Sequence, residues 1–381
     1  MFNKIKNLAK NNKLIFWIFE TIFRRPIIDL YKSGYSKKVL FSYSISHFKH
    51  NNFFGHSNVQ ESVFIAEIFH KLGYRVDVVN NSKFTTLKLN DYNVIFGEGF
   101  PLYQALQESN SAKKIYYATG SHPFQCSSAT LDRLICFYRK HGKLLTNSTR
   151  LIDYRWGIAA SLADAVICIG NSNTRSTFEK YNNNIYLINP TYYDESNFVI
   201  RKETIAKRGI LWFGSYGLIH KGLDLTIEAM KSLSDYTLHI CGKLDNEKDF
   251  FSAIELPKNV KLHGFVDITS DAFKEICNRC YYVILPSCSE GVSTAVITAV
   301  ARGKMIPLVT KECGIDIQDC GFEIPELNSE SIVNTIRLCN KFSDGELDLI
   351  SSKAQRIFRN KYTIENYKKT MFNYINMLVN E

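Results

Sequence analysis

Short apolar runs of strand length recur along the chain, each leaving through polar or glycine-rich residues and followed by a stretch of helical spacing. This alternation most constrains the fold. Residues 38–46, 74–79, 94–96, 115–118, 165–169 and 185–188 form a first series of such runs. Between the first two, Phe64, Ile65, Ile68, Phe69 and Leu72 recur on one helical face and Gly73 closes it, while Asn58 and Glu61 read as an N-cap and its capping-box partner. After Asn189-Pro190 the pattern restarts with runs at 210–213, 238–241, 260–264, 281–285 and 305–309. Strands alternating with helices predict an α/β chain of two Rossmann-like, doubly wound domains facing a cleft. The expected divisions are a basic amphipathic segment at 1–37, an N-terminal Rossmann-like domain at 38–190, a C-terminal Rossmann-like domain at 191–360 and a C-terminal helix at 361–381. Tyr367, Met371, Tyr374, Ile375 and Leu378 give that helix an apolar face, expected to pack back on the N-terminal domain.

A length of 381 residues is enough for two cores. No apolar run approaches the roughly 18 residues that a membrane-spanning helix needs. The ten cysteines are scattered rather than framed, which points to a reduced, cytoplasmic compartment. Charge is uneven: residues 1–38 hold nine basic side chains against Glu20 and Asp29, and so carry most of the chain's net +10. Within that segment LIFWIF, at 14–19, is too short to cross a bilayer. It reads either as part of a segment lying on the inner, anionic membrane surface, where each nearby Lys or Arg adds about 1 kcal/mol, or as a helix packed on the first domain. Nucleic acid is not an expected partner, because the basic cluster lies outside the folded core with no accompanying motif.

Two stretches carry the candidate chemistry. LPSCSEGVSTAVITAVARG, at 285–303, reads as a strand end, a loop bearing Glu290 and Gly291, and a helix with Val296, Ile297, Val300 and Ala301 on its apolar face. In a parallel sheet that loop lies at the carboxyl end, where ligands bind. GSYGLIHKG, at 214–222, places Lys221-Gly222 just before a helix, where unpaired N–H groups and a lysine charge suit a phosphate. His122 stands at a strand exit beside Pro123, and Glu98 reads either as a solvated loop carboxylate or as a strand-exit carboxylate near the cleft. Cys277 and Cys280 form a CxxC pair without a second pair at zinc spacing, so they read as structural.

In order and spacing, Gly214, then Lys221-Gly222-Leu223-Asp224, then Gly264-Phe265-Val266, then Pro286-Ser287-Cys288-Ser289-Glu290-Gly291 resemble the pattern of GT-B glycosyltransferases of family four, the retaining, group-1-type enzymes. The resemblance covers about residues 210–324; the N-terminal half matches mainly in architecture and in His122. It implies a transferase that moves a sugar from a nucleotide-sugar donor to a glycan or glycolipid acceptor in polysaccharide-type biosynthesis, with retention of configuration and with neither metal nor cofactor. Lys221 would hold the diphosphate, Glu290 the sugar hydroxyls, and the amides of Gly291, Val292, Ser293 and Thr294 the sugar pocket. Phe265 and Val266 would border the nucleobase, and His122 would reach the donor sugar. Gly55 and His56 would lie near the diphosphate or the acceptor.

Two positions depart from the pattern. The family arginine after Gly214 is Ser215, and the second glutamate is Thr298, which could still bond a ribose hydroxyl. These departures leave a second reading, a nucleotide-sugar-binding protein of the same fold that has lost turnover.

Overall fold

The computed structural model describes residues 25–49, 57–108, 111–192, 200 and 202–380. Most of the basic N-terminal segment, together with Gly55 and His56, lies outside these residues. Six parallel strands form the first sheet: β1 (Lys37–Tyr43), β2 (Tyr74–Asn80), β3 (Val94–Gly97), β4 (Lys113–Ala118), β5 (Ala165–Ile169) and β6 (Ile185–Ile188), in the order β2-β1-β3-β4-β5-β6. Its helices are α1 (Ser57–Lys71), α2 (Phe100–Gln107), α3 (Pro123–His141), α4 (Tyr154–Leu162) and α5 (Ser172–Glu179). The second sheet, also parallel, contains β7 (Gly209–Phe213), β8 (Thr237–Cys241), β9 (Val260–Gly264), β10 (Tyr282–Leu285), β11 (Ile306–Val309) and β12 (Phe322–Glu323), in the order β12-β11-β10-β7-β8-β9. Around it lie α6 (Leu223–Met230), α7 (Asp271–Arg279), α8 (Thr294–Gly303), α9 (Ser329–Cys339) and α10 (Asp344–Lys361). No helix among the described residues is long and apolar enough to cross a membrane.

Helices cover both faces of each sheet, which is why the central strands read as uninterrupted apolar runs. AVICI of β5, YVIL of β10 and IPLV of β11 are buried at every position. Each fully buried Val, Leu, Ile or Phe contributes about 1.5–3 kcal/mol. Nine of the ten cysteines are buried, and all are unbridged. Burial raises the Cys277 thiol to about 12, so the CxxC pair behaves as apolar packing.

The last helix, α11 (Ile364–Asn380), returns to the first domain. It buries Tyr367, Met371, Ile375 and Leu378, and the Tyr374 hydroxyl donates to the Leu187 carbonyl at 3.0 Å.

Glu61 does not form the expected capping box. Asn58 lies inside α1 rather than before it, and Glu61 is turned into the core. There its Oε1 accepts from the Thr191 N–H at 2.7 Å and the Thr191 hydroxyl at 3.1 Å, where the chain leaves the first domain. Burial of this carboxyl, opposed by the Thr191 bonds, raises it to about 7. A carboxyl raised in the folded state contributes stability that is fully present below its unfolded value near 4.5 and lost as pH rises through 7. The Glu61→Gln variant keeps an acceptor for Thr191 but cannot ionise. It is expected to overtake the wild type in stability as pH rises above 7, by up to roughly 3 kcal/mol, read as a higher thermal midpoint. Parallel midpoint-against-pH curves for the two proteins would show that Glu61 is solvated.

Candidate active site

In the second sheet β7 and β10 are neighbours, with Tyr282, Val283 and Ile284 beside Ile210, Leu211 and Trp212. Strand order reverses at this pair, so the 214–222 loop after β7 and the 286–293 loop after β10 leave the sheet side by side, at its switch point. Gly222 makes the approach close: it sits at φ +65°, and a Cβ there would lie 2.2 Å from the Pro286 carbonyl oxygen. Glu247 shapes the first loop by accepting the Gly217 N–H at 2.6 Å and the Leu218 N–H at 3.0 Å.

This apposition brings Lys221 and Glu290 together. The Lys221 ammonium donates to Glu290 Oε1, which also accepts the Ser287 hydroxyl at 3.0 Å. Burial alone would raise the Glu290 carboxyl, but the cations of Lys221 and Arg150 outweigh it and hold the group at about 2. Glu290 is therefore a buried, ionised acceptor, and Lys221 a buried donor beside it.

Side chains of the first domain close over these loops. On α3, Thr130, Arg133 and Phe137 share one face and meet the second domain. Thr130 Oγ1 lies 2.8 Å from His220 Nδ1, Arg133 Nη2 pairs with Asp224 Oδ2 at 2.5 Å, and the Phe137 ring stacks on Phe250. His220 Nε2 donates to the Ser289 carbonyl at 2.6 Å, and burial lowers the ring to about 4, so it is neutral. The Ser121 and Ser289 hydroxyls bond to each other. Thr174 donates to the Gly291 carbonyl at 2.9 Å. Gly291 touches the first domain so closely that a Cβ would lie 2.7 Å from the Ile169 carbonyl oxygen and 2.9 Å from that of Thr119.

Arg150, which no motif marks, is the residue that sequence reasoning missed. It lies between α3 and α4 in the first domain, yet donates to Glu290 Oε2 and to Ser215 Oγ, both at 3.3 Å, and stands 4.6 Å over the Tyr216 ring. Its only signal is spatial, since 140 residues separate it from Glu290.

Other expected residues fall differently. His122 is not turned toward Lys221 and Glu290. It has no exposed surface, caps α3 by accepting the Phe124 N–H at Nδ1, lies 3.2 Å from Ser161 Oγ through Nε2 and stacks on Tyr181. Burial lowers it to about 4 and keeps it neutral. The proline that stiffens this strand exit also starts α3 at the next residue, and helix capping draws the imidazole inward.

Of the amides at 291–294, that of Ser293 donates to the Cys313 carbonyl at 3.2 Å. Val292 is buried beside it, and Thr294 begins α8. The Thr298 hydroxyl donates to the Thr294 carbonyl of its own helix at 2.8 Å. Phe265 is 67% exposed and, with Val266, His263, Asp267, Ile276 and Arg279, lines a surface cavity of about 470 Å³. Gly214 packs against the Trp212 ring.

Of the two readings of Glu98 the solvated one fails: the side chain is buried at the exit of β3, where Asn81 Nδ2 donates to it at 2.9 Å, and burial raises it to about 7. Gly97 and Gly99 on either side press against the backbone of Ser42 and Asn81 and draw the intervening side chain into the sheet edge. Among the described residues no group of three or more His, Cys, Asp or Glu is placed to hold a metal ion.

Residues 207–339 match the family model described as "Glycosyl transferases group 1". No curated protein matches the sequence. Among solved structures, HepE from Anabaena in complex with UDP and glucose is 14% identical, with 90% of this chain and 100% of that one covered at a TM-score of 0.56. Sucrose-phosphate synthase from Thermosynechococcus elongatus is 12% identical, with 90% and 99% covered at 0.60. A point mutant of TarM from S. aureus, in complex with fondaparinux, α-GlcNAc-glycerol and UDP, is 16% identical at 0.52; 83% of this chain aligns to only 58% of that one. At these identities the structures establish shared architecture, two parallel-sheet domains across a cleft. The chain thus carries a group 1 glycosyltransferase domain at residues 207–339 and shares, over both of its domains, the GT-B fold of these glycosyltransferase structures.

Proposed function

We propose that the chain moves a sugar from a nucleotide-sugar donor, held on the 214–222 and 286–294 loops, to a hydroxyl of a glycan or glycolipid seated on the first domain. The observation that carries this reading is the buried contact of Lys221 with Glu290 at the switch point of the second sheet. With donor bound, Lys221 turns to the diphosphate and Glu290 accepts from the sugar hydroxyls; Phe265 and Val266 border the base. The bond from the anomeric carbon to the diphosphate breaks with its electrons passing to the leaving oxygen. The acceptor hydroxyl attacks from the same face, and its proton passes to the departing diphosphate, so configuration is retained. Charge developing on the diphosphate is stabilised by a cation already in place, without reorganisation of water. His122, which the resemblance places at the donor sugar, has its bonds to Phe124 and Ser161 within the first domain in this arrangement.

UDP and UDP-glucose are bound in HepE structures, and a starch synthase neighbour binds ADP, so both bases belong in the test. A thermal-shift panel of UDP, GDP, ADP and their sugars is expected to show stabilisation by one base, about 2.7 kcal/mol at a hundredfold excess over Kd. The matching nucleotide-sugar is expected to be consumed when acceptor is added. Stabilisation without consumption, over a panel of glycan and glycolipid acceptors, would replace this reading with that of a binding protein. Presenting the acceptor in anionic vesicles tests the inner membrane surface as the place of work. Loss of residues 1–33 is then expected to abolish vesicle binding, and unchanged binding would remove the membrane from the proposal.

A further inference from the structure

We propose that Arg150, contributed by the first domain, is a donor-binding residue that grips the diphosphate together with Lys221 and ties donor binding to the apposition of the two domains. The inference rests on the donor-binding reading above and adds to it a residue from the opposite side of the cleft.

Placement comes first. The stretch carrying Arg150 is pinned to the donor loop, since the Ile219 N–H donates to the Ser148 carbonyl at 3.2 Å. A Cβ on Gly217 would lie 3.0 Å from Arg150 Cγ, so the side chain rests directly on the 215–217 backbone. The guanidinium stands over Tyr216, with Ser215 at one end and Glu290 at the other. Lys221 reaches the same Glu290 carboxylate from the other oxygen, so two cations flank one acceptor.

The second argument is the guanidinium's unused capacity. Its two bonds are long, at 3.3 Å each, and its Nε is buried without a partner. A guanidinium offers five N–H donors in a planar fork, and a phosphate takes two of them side by side, Nε included. With donor bound, Glu290 keeps the Ser287 hydroxyl on Oε1 and accepts from the sugar hydroxyls, so Arg150 can move from Oε2 to an incoming phosphate without stranding the carboxylate. Lysine supplies only a point charge; the fork supplies direction. A contact made from the first domain to a ligand on the second also favours the closed arrangement whenever the ligand is present.

The test titrates UDP, GDP and ADP, each beside its own nucleoside, into the full-length protein by calorimetry. Arg150→Ala is expected to weaken the preferred nucleoside diphosphate by about 10- to 150-fold, the range of hydrogen bonds to charged groups, while leaving the nucleoside unchanged. Arg150→Lys should fall between. Adding Ser215→Arg to Arg150→Ala, which returns a guanidinium to the same place from the 214–222 loop of the second domain, should recover part of the loss. Wild-type diphosphate affinity in Arg150→Ala would overturn the proposal, as would an equal loss for the nucleoside, since that marks a purely structural strut. A wild-type protein that binds no nucleoside diphosphate would remove the donor reading itself and this inference with it. Retained diphosphate binding in the wild type with no effect of Arg150→Ala removes only the inference.

Discussion

Lys221→Ala is expected to lower kcat by about 10² to 10³, the cost of removing one pre-positioned donor from a site where charge develops. Glu290→Gln, which keeps the volume and the acceptor for Ser287 but not the charge, should reduce kcat/KM for the donor by a comparable factor through its lost bonds to the sugar. Both residues are buried and share a contact, so the effects should not add: the double variant is expected to lose far less than the product of the single losses. Stability needs to be read beside activity, because removing one member of a buried pair leaves the other uncompensated. Arg150 softens that cost for Lys221→Ala by remaining near Glu290. Near-native thermal midpoints with lost turnover would identify the pair as chemical machinery; wild-type turnover in either single variant would sink the assignment.

The second large effect is structural. Arg133 and Asp224 are 8% and 7% exposed and bridge the domains at 2.5 Å. Arg133→Ala is expected to cost about 3–5 kcal/mol, the usual penalty for leaving a buried charge alone, read as a lowered denaturation midpoint. The pair is not fully satisfied, since Arg133 Nε and Asp224 Oδ1 have no partner. Desolvation is thus incompletely recovered, and the double replacement Arg133→Met with Asp224→Leu should be neutral or stabilising by comparison. A loss below about 1 kcal/mol for Arg133→Ala would mean that the pair behaves as a surface bridge and that the domains part in solution. Asp224 belongs to the same Lys-Gly-x-Asp run as Lys221, so this helix start serves the contact with Glu290 at one residue and the domain contact at another.

Within the second domain the candidate site was largely legible. Lys221 and Glu290 lie on loops that follow strongly apolar runs, and glycine and proline punctuate them where the backbone must turn. Ser215 could be read as a missing cation, but not what stands beside it. Glu61, with its asparagine three residues earlier, fitted a local rule for helix starts; a tertiary contact to Thr191 took precedence, because the buried Thr191 N–H needs an acceptor. His122 followed the same logic in reverse: its backbone stands at the strand exit, but capping and the Tyr181 ring drew its side chain inward.

The sequence by itself determined the strand and helix series, the restart that makes two sheets, and the two loops that meet at the second switch point. Those features depend on apolar periodicity and turn chemistry, which act over a few residues and are written locally. Only the tertiary structure decided where His122, Glu61 and Glu98 point, that α3 docks through Arg133 on Asp224, and that Arg150 crosses the cleft to Ser215 and Glu290. These depend on which distant surfaces pack together, and side-chain direction follows from that packing rather than from neighbours in the chain.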